Sequence, residues 1–350
     1  MLEIDGSQQS GSGTIVRFAV AFSALCGEPI HLVSARVRRA RPGLRPQHVA
    51  AVRACAALCE AETEGVEVGS RELRFRPRGK VSGGTHTFDI GSAGSATMLT
   101  LGVLPLACLA TAPFAARIVG GVFQDFAPSP FHVQHVLAPL LARMGGAVSL
   151  ELVRPGYVPV GGGELALRVE PAAGGLRAIE LPEPGPTREV RGIALASHLA
   201  ERHVAERMAR TCEARLADHG LRCTIERVDD SSASRPGAGL AVWAETEAGC
   251  RLGADRAGAP RRSSEAIGRY VARTLLADLA SGASVDRHLA DQLVLFAALA
   301  KGTTRYRVPE ESVHLRTNLW LAERFGARAR CDARTVEVTG LGLLPGAAPR

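Results

Sequence analysis

One order of elements recurs along this chain, and it restricts the fold more than composition does. A strand at 2–4, a Gly/Ser-rich loop at 6–13, a helix over 15–26, a strand at 30–35, a helix over 47–60 and strand runs at 66–68 and 72–76 form a first copy. The second copy has a strand at 85–90, a helix over 95–110, a strand at 115–119, a helix over 131–144, and strands at 148–152 and 165–169. A third begins with a strand near 189–194 and breaks off. It resumes with a helix over 289–299, a strand at 303–308, a helix over 319–325, and strands at 327–331 and 335–338. Apolar periods of 2 and 3.6 carry these assignments. Repetition of one supersecondary unit is itself an architectural signal, because such units bury their apolar faces by packing on each other. The expected fold is α/β (α+β), built from three βαβαββ repeats.

The break in the third copy has helices over 200–219 and 264–280, strands at 223–227 and 240–244, and a Ser/Gly/Pro loop at 231–239. It reads as a small inserted α+β domain. The expected plan is a discontinuous repeat domain over 1–186 and 283–340, an insert at 187–282, and a tail over 341–350. A chain of 350 residues is long enough for two cores.

The formal net charge is +7, and Lys80 and Lys301 are the only lysines among 42 basic residues. Arginine suits planar, bidentate contact with phosphate, although a GC-rich coding sequence gives the same bias. The eight cysteines are scattered without a Cys-x-x-Cys pair, and no signal-peptide pattern is present. Reduced thiols and a cytoplasmic location are the expectation. From Ile90 to Ala116 no residue is charged, long enough for a membrane span. Pro105, Pro113 and the preceding Gly/Ser loop favour a buried helix, so no membrane partner is expected.

The stretch Ser312-Val313-His314-Leu315-Arg316-Thr317-Asn318 lies between a strand and an amphipathic helix. Thr317 or Asn318 reads as the N-cap, which puts His314 on a loop beside free backbone N–H groups that favour anions. Such a histidine is nucleophilic when neutral and when its other ring nitrogen is held by a partner. Lysine is a poor candidate for that role. Lys80 lacks the Gly-x-x-x-x-Gly-Lys-Ser/Thr setting of a phosphate loop, and neither lysine sits in Lys-x-Asp-Gly. Loops 5–13 and 89–95 place glycines and hydroxyls before helices, where they either cradle phosphate or merely allow tight turns. Arginines 36, 38, 39, 41 and 45 precede the 47–60 helix as a solvated basic face or a polyanion contact.

Several blocks occur in the order found in one family. They are Ile4-Asp5-Gly6-Ser7, Pro42-Gly43-Leu44-Arg45-Pro46-Gln47-His48, Asp89-Ile90-Gly91-Ser92-Ala93-Gly94-Ser95, Gly253-Ala254-Asp255, His288-Leu289-Ala290-Asp291-Gln292 and His314-x-x-Thr317-Asn318. From residue 2 to about 340 the chain resembles the RNA 3'-terminal phosphate cyclases. The resemblance implies three βαβαββ units about a pseudo-threefold, as in the cyclases and enolpyruvyl transferases. It also implies ATP-dependent, AMP-forming cyclisation of RNA 3'-phosphate ends, with His314 taking AMP covalently. An ATP pocket is implied at His288, Leu289, Ala290, Asp291, Gln292, Leu101 and Pro128. Phosphate or RNA contacts are implied at Arg17, Arg36, Arg39 and Gln47; a divalent cation, Mg or Mn, is expected, and Asp291 either holds it or orients the catalytic histidine.

The chain also departs from the family pattern. Ser10 stands where a glutamate is usual, Leu101 where a glutamine lies near adenine, and Val122-Phe123 where Thr-Asp is usual. Two other classes are therefore carried: a non-catalytic cyclase-like RNA-binding or ribosome-assembly protein, and an enolpyruvyl transferase, for which no motif is found.

Overall fold

The structure is a computed structural model, and it describes residues 1–125, 127–181 and 183–346. In the first unit β1 (Leu2–Asp5), α1 (Gly13–Cys26), β2 (Ile30–Val33), α2 (Pro46–Leu58), β3 (Glu62–Glu64) and β4 (Leu73–Arg76) follow one another. β1 runs parallel to β2, β4 lies antiparallel to β2, and β3 pairs with β4 on the edge. The α1 helix begins at Ser12, whose hydroxyl accepts from the Thr14 N–H, and stops at Gly27 in the left-handed region. The strand expected at 66–68 is a loop. Gly65 and Gly69 take positive φ on either side of it, and the pairing falls instead on Glu62–Glu64, where Glu64 reaches Arg74 and Arg76.

The second unit repeats this order with β5 (Gly84–Asp89), α3 (Ala96–Cys108), β6 (Phe114–Gly120), α4 (Pro130–His132), α5 (Ala138–Met144), β7 (Ala147–Arg154) and β8 (Gly163–Glu170). The charge-free stretch is explained by α3, which is buried along nearly its whole length. The helix expected over 131–144 is split by a π turn at Val133–Leu137. Pro139 has no N–H to return to the carbonyl four residues back, and that carbonyl, of His135, accepts from Arg251 Nη1 at 3.1 Å.

The third unit starts at β9 (Glu180–Leu181), which corrects the start expected near 189–194. Those residues belong to β10 (Thr187–Ser197), an inner strand of a separate sheet. That sheet is completed by β11 (Cys223–Asp230), β12 (Gly237–Thr246) and β13 (Arg251–Ala257), in the order β11-β10-β12-β13, with α6 (Val204–Ala217) and α7 (Ser264–Ala280) packed on it. Sequence reading missed β13, whose Gly, Ala, Asp and Arg lack a strand's usual β-branched character. The chain then returns through α8 (Leu289–Leu299), β14 (Thr303–Arg307), α9 (Val313–Arg324), β15 (Arg328–Asp332) and β16 (Thr335–Thr339). The order β9-β14-β16-β15 matches the first two units, with a parallel first pair and two antiparallel pairs. Residues 341–343 bond back to α8 and the residue after it, through Leu341 N–H to the Ala298 carbonyl and Leu343 N–H to that of Leu299. Residues 347–350 of the expected tail lie outside the described residues.

Among the described residues no disulfide occurs, and no helix is long and apolar enough to cross a membrane. Phe123 fills the seam between the second unit and the separate sheet. Its ring lies 5.7 Å from those of Tyr157 and Phe131, and Gly239 leaves room for it, since a Cβ there would meet Phe123 Cδ1 at 2.6 Å. We expect Phe123→Ala to lower stability by about 3–5 kcal/mol in urea unfolding, the range for truncating a buried aromatic. A loss under about 1 kcal/mol would mean the seam is not packed as described.

Candidate active site

His314 is the second residue of α9, not a loop residue. Ser312 is the N-cap, its hydroxyl accepting from the Leu315 N–H at 3.1 Å, and this starts the helix earlier than expected. Thr317 and Asn318 are not caps; they are buried inside the helix and clamp it in place. Thr317 Oγ1 accepts from the Ser10 N–H at 3.2 Å, and Asn318 Nδ2 donates to the Asp291 carbonyl at 2.7 Å. The motif therefore fastens α9 to the first Gly/Ser loop and to α8. His314 is half-buried, and burial, then the charges of Arg39, Arg17 and His288, push its pKa below the ordinary value. It is neutral at physiological pH. Its Nδ1 is buried without a hydrogen-bond partner among the described residues, so they do not supply the expected orienting contact.

On α8 the five-residue block divides. Leu289 and Ala290 are fully buried and turn into the core, where the Ala290 carbonyl accepts from the Tyr306 hydroxyl, so they offer no side chain to a ligand. His288, Asp291 and Gln292 supply the polar atoms. Burial pushes the Asp291 carboxyl up to about 7, opposed by the charge of Arg17. Arg17 lies inside α1, and burial pulls it down to about 10, so it stays charged; its Nη2 reaches Thr14 Oγ1 at 3.4 Å, and its Nε has no partner among the described residues.

The remaining expected residues hold mixed positions. Arg39 is exposed, and its charge acts on His314. Arg36 spends its Nη1 on the Arg41 and Gly43 carbonyls, at 3.1 and 2.5 Å, so it shapes its own loop. Gln47 Oε1 accepts from the Ser95 N–H at 3.0 Å, tying α2 to the N-terminus of α3. Leu101 is 3% exposed, in the core of α3. Pro128 precedes Ser129, whose N–H donates to Asp255 Oδ2 on β13 at 2.6 Å. Ser10 Oγ lies 2.9 Å from Ser12 Oγ, within the cap of α1.

Two histidines and an aspartate gained importance that the sequence reading had not given them. Asp286 is fully buried and accepts four N–H bonds: from His132 Nε2 at 2.9 Å, the Gly253 N–H at 2.7 Å, the His288 N–H at 2.8 Å and the Leu289 N–H at 2.9 Å. Burial disfavours both charges, but the pair prevails: His132 is raised above its ordinary value and Asp286 is held down at about 2. The His132 ring stands edge-on to His288, with centroids 5.8 Å apart. His48 is the other case. Its Nδ1 accepts from the Arg45 N–H at 3.0 Å, and burial with the nearby Arg17 holds it neutral, at about 2. It rests against Gly13, where a Cβ would come within 2.0 Å of its Nε2. A lone histidine in an apolar run, as at 132, needs a partner; that was the signal available.

Arg17 Nε, Thr97 Oγ1, Gln292 Oε1, His314 Nδ1 and Asn318 Oδ1 all lack a partner among the described residues, and they lie on α1, α3, α8 and α9, which pack together. Buried polar atoms are rarely left unpaired in proteins, so these helices hold polar groups that a ligand with donors and acceptors would satisfy. They do not form a cation cage: no group of three or more His, Cys, Asp or Glu suited to a metal occurs among the described residues. A magnesium-like ion fits only with Asp291 and oxygens brought by a ligand.

Three units of one strand order, with a fourth sheet set between β9 and α8, define a repeat-built α/β protein whose polar junction lies among α1, α3, α8 and α9. The model of the family "RNA 3'-terminal phosphate cyclase" matches residues 8–330. The chain belongs to that family. Proteins named RNA 3'-terminal phosphate cyclase from Pyrobaculum neutrophilum (39% identical, covering 93% of this chain and 92% of theirs) and Methylococcus capsulatus (39%, 98% and 96%) are among its relatives. A solved enolpyruvyl transferase, NikO of Streptomyces tendae, aligns at 12% identity over 97% of this chain and 81% of its own, with a TM-score of 0.27.

Removing His132 leaves the Asp286 charge buried and unpaired, so His132→Gln is expected to cost about 3–5 kcal/mol near pH 5.5. His132 has a raised pKa, so its contribution is full below the ordinary histidine value of 6.5 and fades as pH rises through the higher folded value. The Asp286 contribution is present above 3.8 and is lost as pH falls toward about 2. The stability gap between wild type and variant should therefore be widest between pH 4 and 6.5. Thermal unfolding across pH checks this, and a gap independent of pH would refute the ion pair.

Proposed function

We propose that this chain uses ATP to convert an RNA 3'-phosphate into a 2',3'-cyclic phosphate, passing AMP through His314. The observation that carries the reading is a neutral histidine in the first turn of a helix, within the electrostatic reach of Arg17, Arg39 and His288. Relatives named for this reaction align over almost their full length. His288, Asp291 and Gln292 would hold the nucleotide, with Pro128 against the base, and Arg17 and Arg39 would balance charge on the transferring phosphate. A divalent ion, bound through Asp291 and phosphate oxygens, would supply further charge neutralisation.

His314 attacks the α-phosphorus of ATP, and the bond to the β-phosphate breaks to release pyrophosphate. An oxygen of the RNA 3'-phosphate then attacks the same phosphorus, breaking the phosphorus–nitrogen bond and returning a neutral His314. The vicinal 2'-hydroxyl next attacks the RNA 3'-phosphorus, gives up its proton, and expels AMP. Each step is easier than direct loss of water from the phosphate, which is the advantage of covalent catalysis.

Incubation with α-labelled ATP should label the protein covalently, with an adduct labile to acid and stable to base. His314→Ala and His314→Asn should abolish the label; labelling that survives either change would defeat the assignment. Arg39→Gln removes a charge that keeps His314 deprotonated, so the acid limb of the labelling rate should move to higher pH. An unmoved limb would place Arg39 outside the site.

Ser10 contributes no carboxylate beside the phosphates, and Leu101 contributes no amide. Ser10→Glu should raise the adenylation rate. Leu101→Gln, one turn from the Thr97 hydroxyl, which has no partner among the described residues, should sharpen ATP over GTP by roughly three- to tenfold, the worth of one neutral hydrogen bond. If both variants prove neutral or slower, the non-catalytic, RNA-binding reading gains ground.

A further inference from the structure

The helical face of the inserted sheet carries arginines that the reaction above does not use. α6 and α7 meet backbone to backbone at Gly268, where a Cβ would lie 2.6 Å from the Met208 carbonyl oxygen and 2.9 Å from Thr211 Cβ. This close approach brings Arg269 of α7 alongside α6, where it lines a cleft of about 620 Å³ with Arg210, Thr211 and Arg215. A second cleft of about 540 Å³ adjoins it through the shared Arg215. That cleft adds Arg273 and His219 above an apolar floor that includes Leu221, Leu276 and Leu279.

Neither cleft is lined by an aspartate or a glutamate. Carboxylates are present on the same helices, but they are engaged elsewhere. Glu206 and Glu213 hold Arg227, Glu265 holds Arg207, and Asp278 holds Arg287. Among the described residues, Arg210, Arg215, Arg269 and Arg273 have no carboxylate partner. Arg273 has only the Tyr270 ring, 5.7 Å away. Another cleft, beside His135 and Trp243, differs in being lined by Glu189 and Glu245, which pair with its Arg191 and Arg251; its Arg188 has no carboxylate partner among the described residues. Arg269 and Arg273 stand one turn apart, a like-charge spacing that weakens a helix unless a counter-charge arrives from outside.

We infer that this face binds single-stranded RNA upstream of the reacting 3' end, with phosphates on the four arginines and bases over the apolar floor. The inference rests on the RNA-substrate reading above and adds a second contact area to it. Arginine suits the task, because its planar fork meets phosphate oxygens and its face can stack on a base. The surface lies on a unit separate from His314, so a short RNA that reaches only the reaction centre would not touch it.

The test compares the variant Arg210→Gln/Arg215→Gln/Arg269→Gln/Arg273→Gln with a charge-matched control, Arg71→Gln/Arg168→Gln/Arg188→Gln/Arg328→Gln, whose four arginines are all exposed. Binding is measured across salt concentrations for a short 3'-phosphorylated oligonucleotide, a much longer one, and the longer one ending in 3'-hydroxyl. For both long RNAs the first variant should weaken binding at least tenfold. It should also shallow the salt slope by up to about 2.8, at about 0.7 per single-strand phosphate contact. Affinity for the short oligonucleotide and self-labelling by ATP should stay as in wild type, which also verifies the fold. The control should change the long-RNA slope by less than half as much. Equal losses in both variants, or no dependence on RNA length in the wild type, would overturn the inference. If the wild type fails to label with ATP, the reaction reading fails, while the 3'-hydroxyl RNA still reports on this surface.

Discussion

The carboxylate of Asp286 joins three stretches far apart in sequence. It receives His132 from the second unit, the backbone of Gly253 from the inserted sheet, and the first two amides of the His288–Leu299 segment. A buried charge survives only when its neighbours satisfy it, and here the neighbours are the parts that must meet for the site to exist. Asp255, two residues after Gly253 on the same strand, receives the Ser129 N–H beside Pro128. The insertion thus braces both sides of the expected adenine pocket, the proline loop and the His288 helix, although it supplies neither wall. Such bracing sets reactive groups on rigid elements, where small displacements are costly to rate.

A second constraint lies in the first two turns of α9. Thr317 and Asn318 are consumed in fastening this helix to the first loop and to α8, leaving His314 one turn earlier with its ring among positive charges. Burial, then these same charges, hold the imidazole below its ordinary pKa, and the arginines among them suit the phosphates it is proposed to attack. The raised pKa of Asp291 belongs to the same balance, since burial resists its charge and Arg17 opposes burial.

Much of this was legible in the sequence, for reasons that differ between elements. The long periodic helices and the strands of the repeats announced themselves, because a buried face leaves a regular apolar pattern. β9 did not, since two residues carry no period, and the copy was assigned to the stronger strand signal in β10. β3, Glu-Thr-Glu, is an edge strand held by arginines across the ladder and has no apolar face to read. The alternation at 66–68 nearby has no partner strand among the described residues. The motif around His314 was visible, but its cap was misplaced because Ser312 and Thr317 are both good N-cap residues and only packing chose between them. The importance of His132 and Asp286 was hidden by distance: 154 positions separate them, and neither spacing nor composition connects them.

A chase experiment tests most directly the proposal that His314 carries AMP to RNA. Protein loaded with α-labelled AMP is freed of ATP and mixed in single turnover with an RNA ending in 3'-phosphate. The account requires label to leave the protein, appear briefly on the RNA and finish as free AMP, while the RNA gains a 2',3'-cyclic end in equal amount. Label that stays on the protein while the RNA end remains a simple phosphate, or cyclisation that proceeds without loss of label, would contradict it.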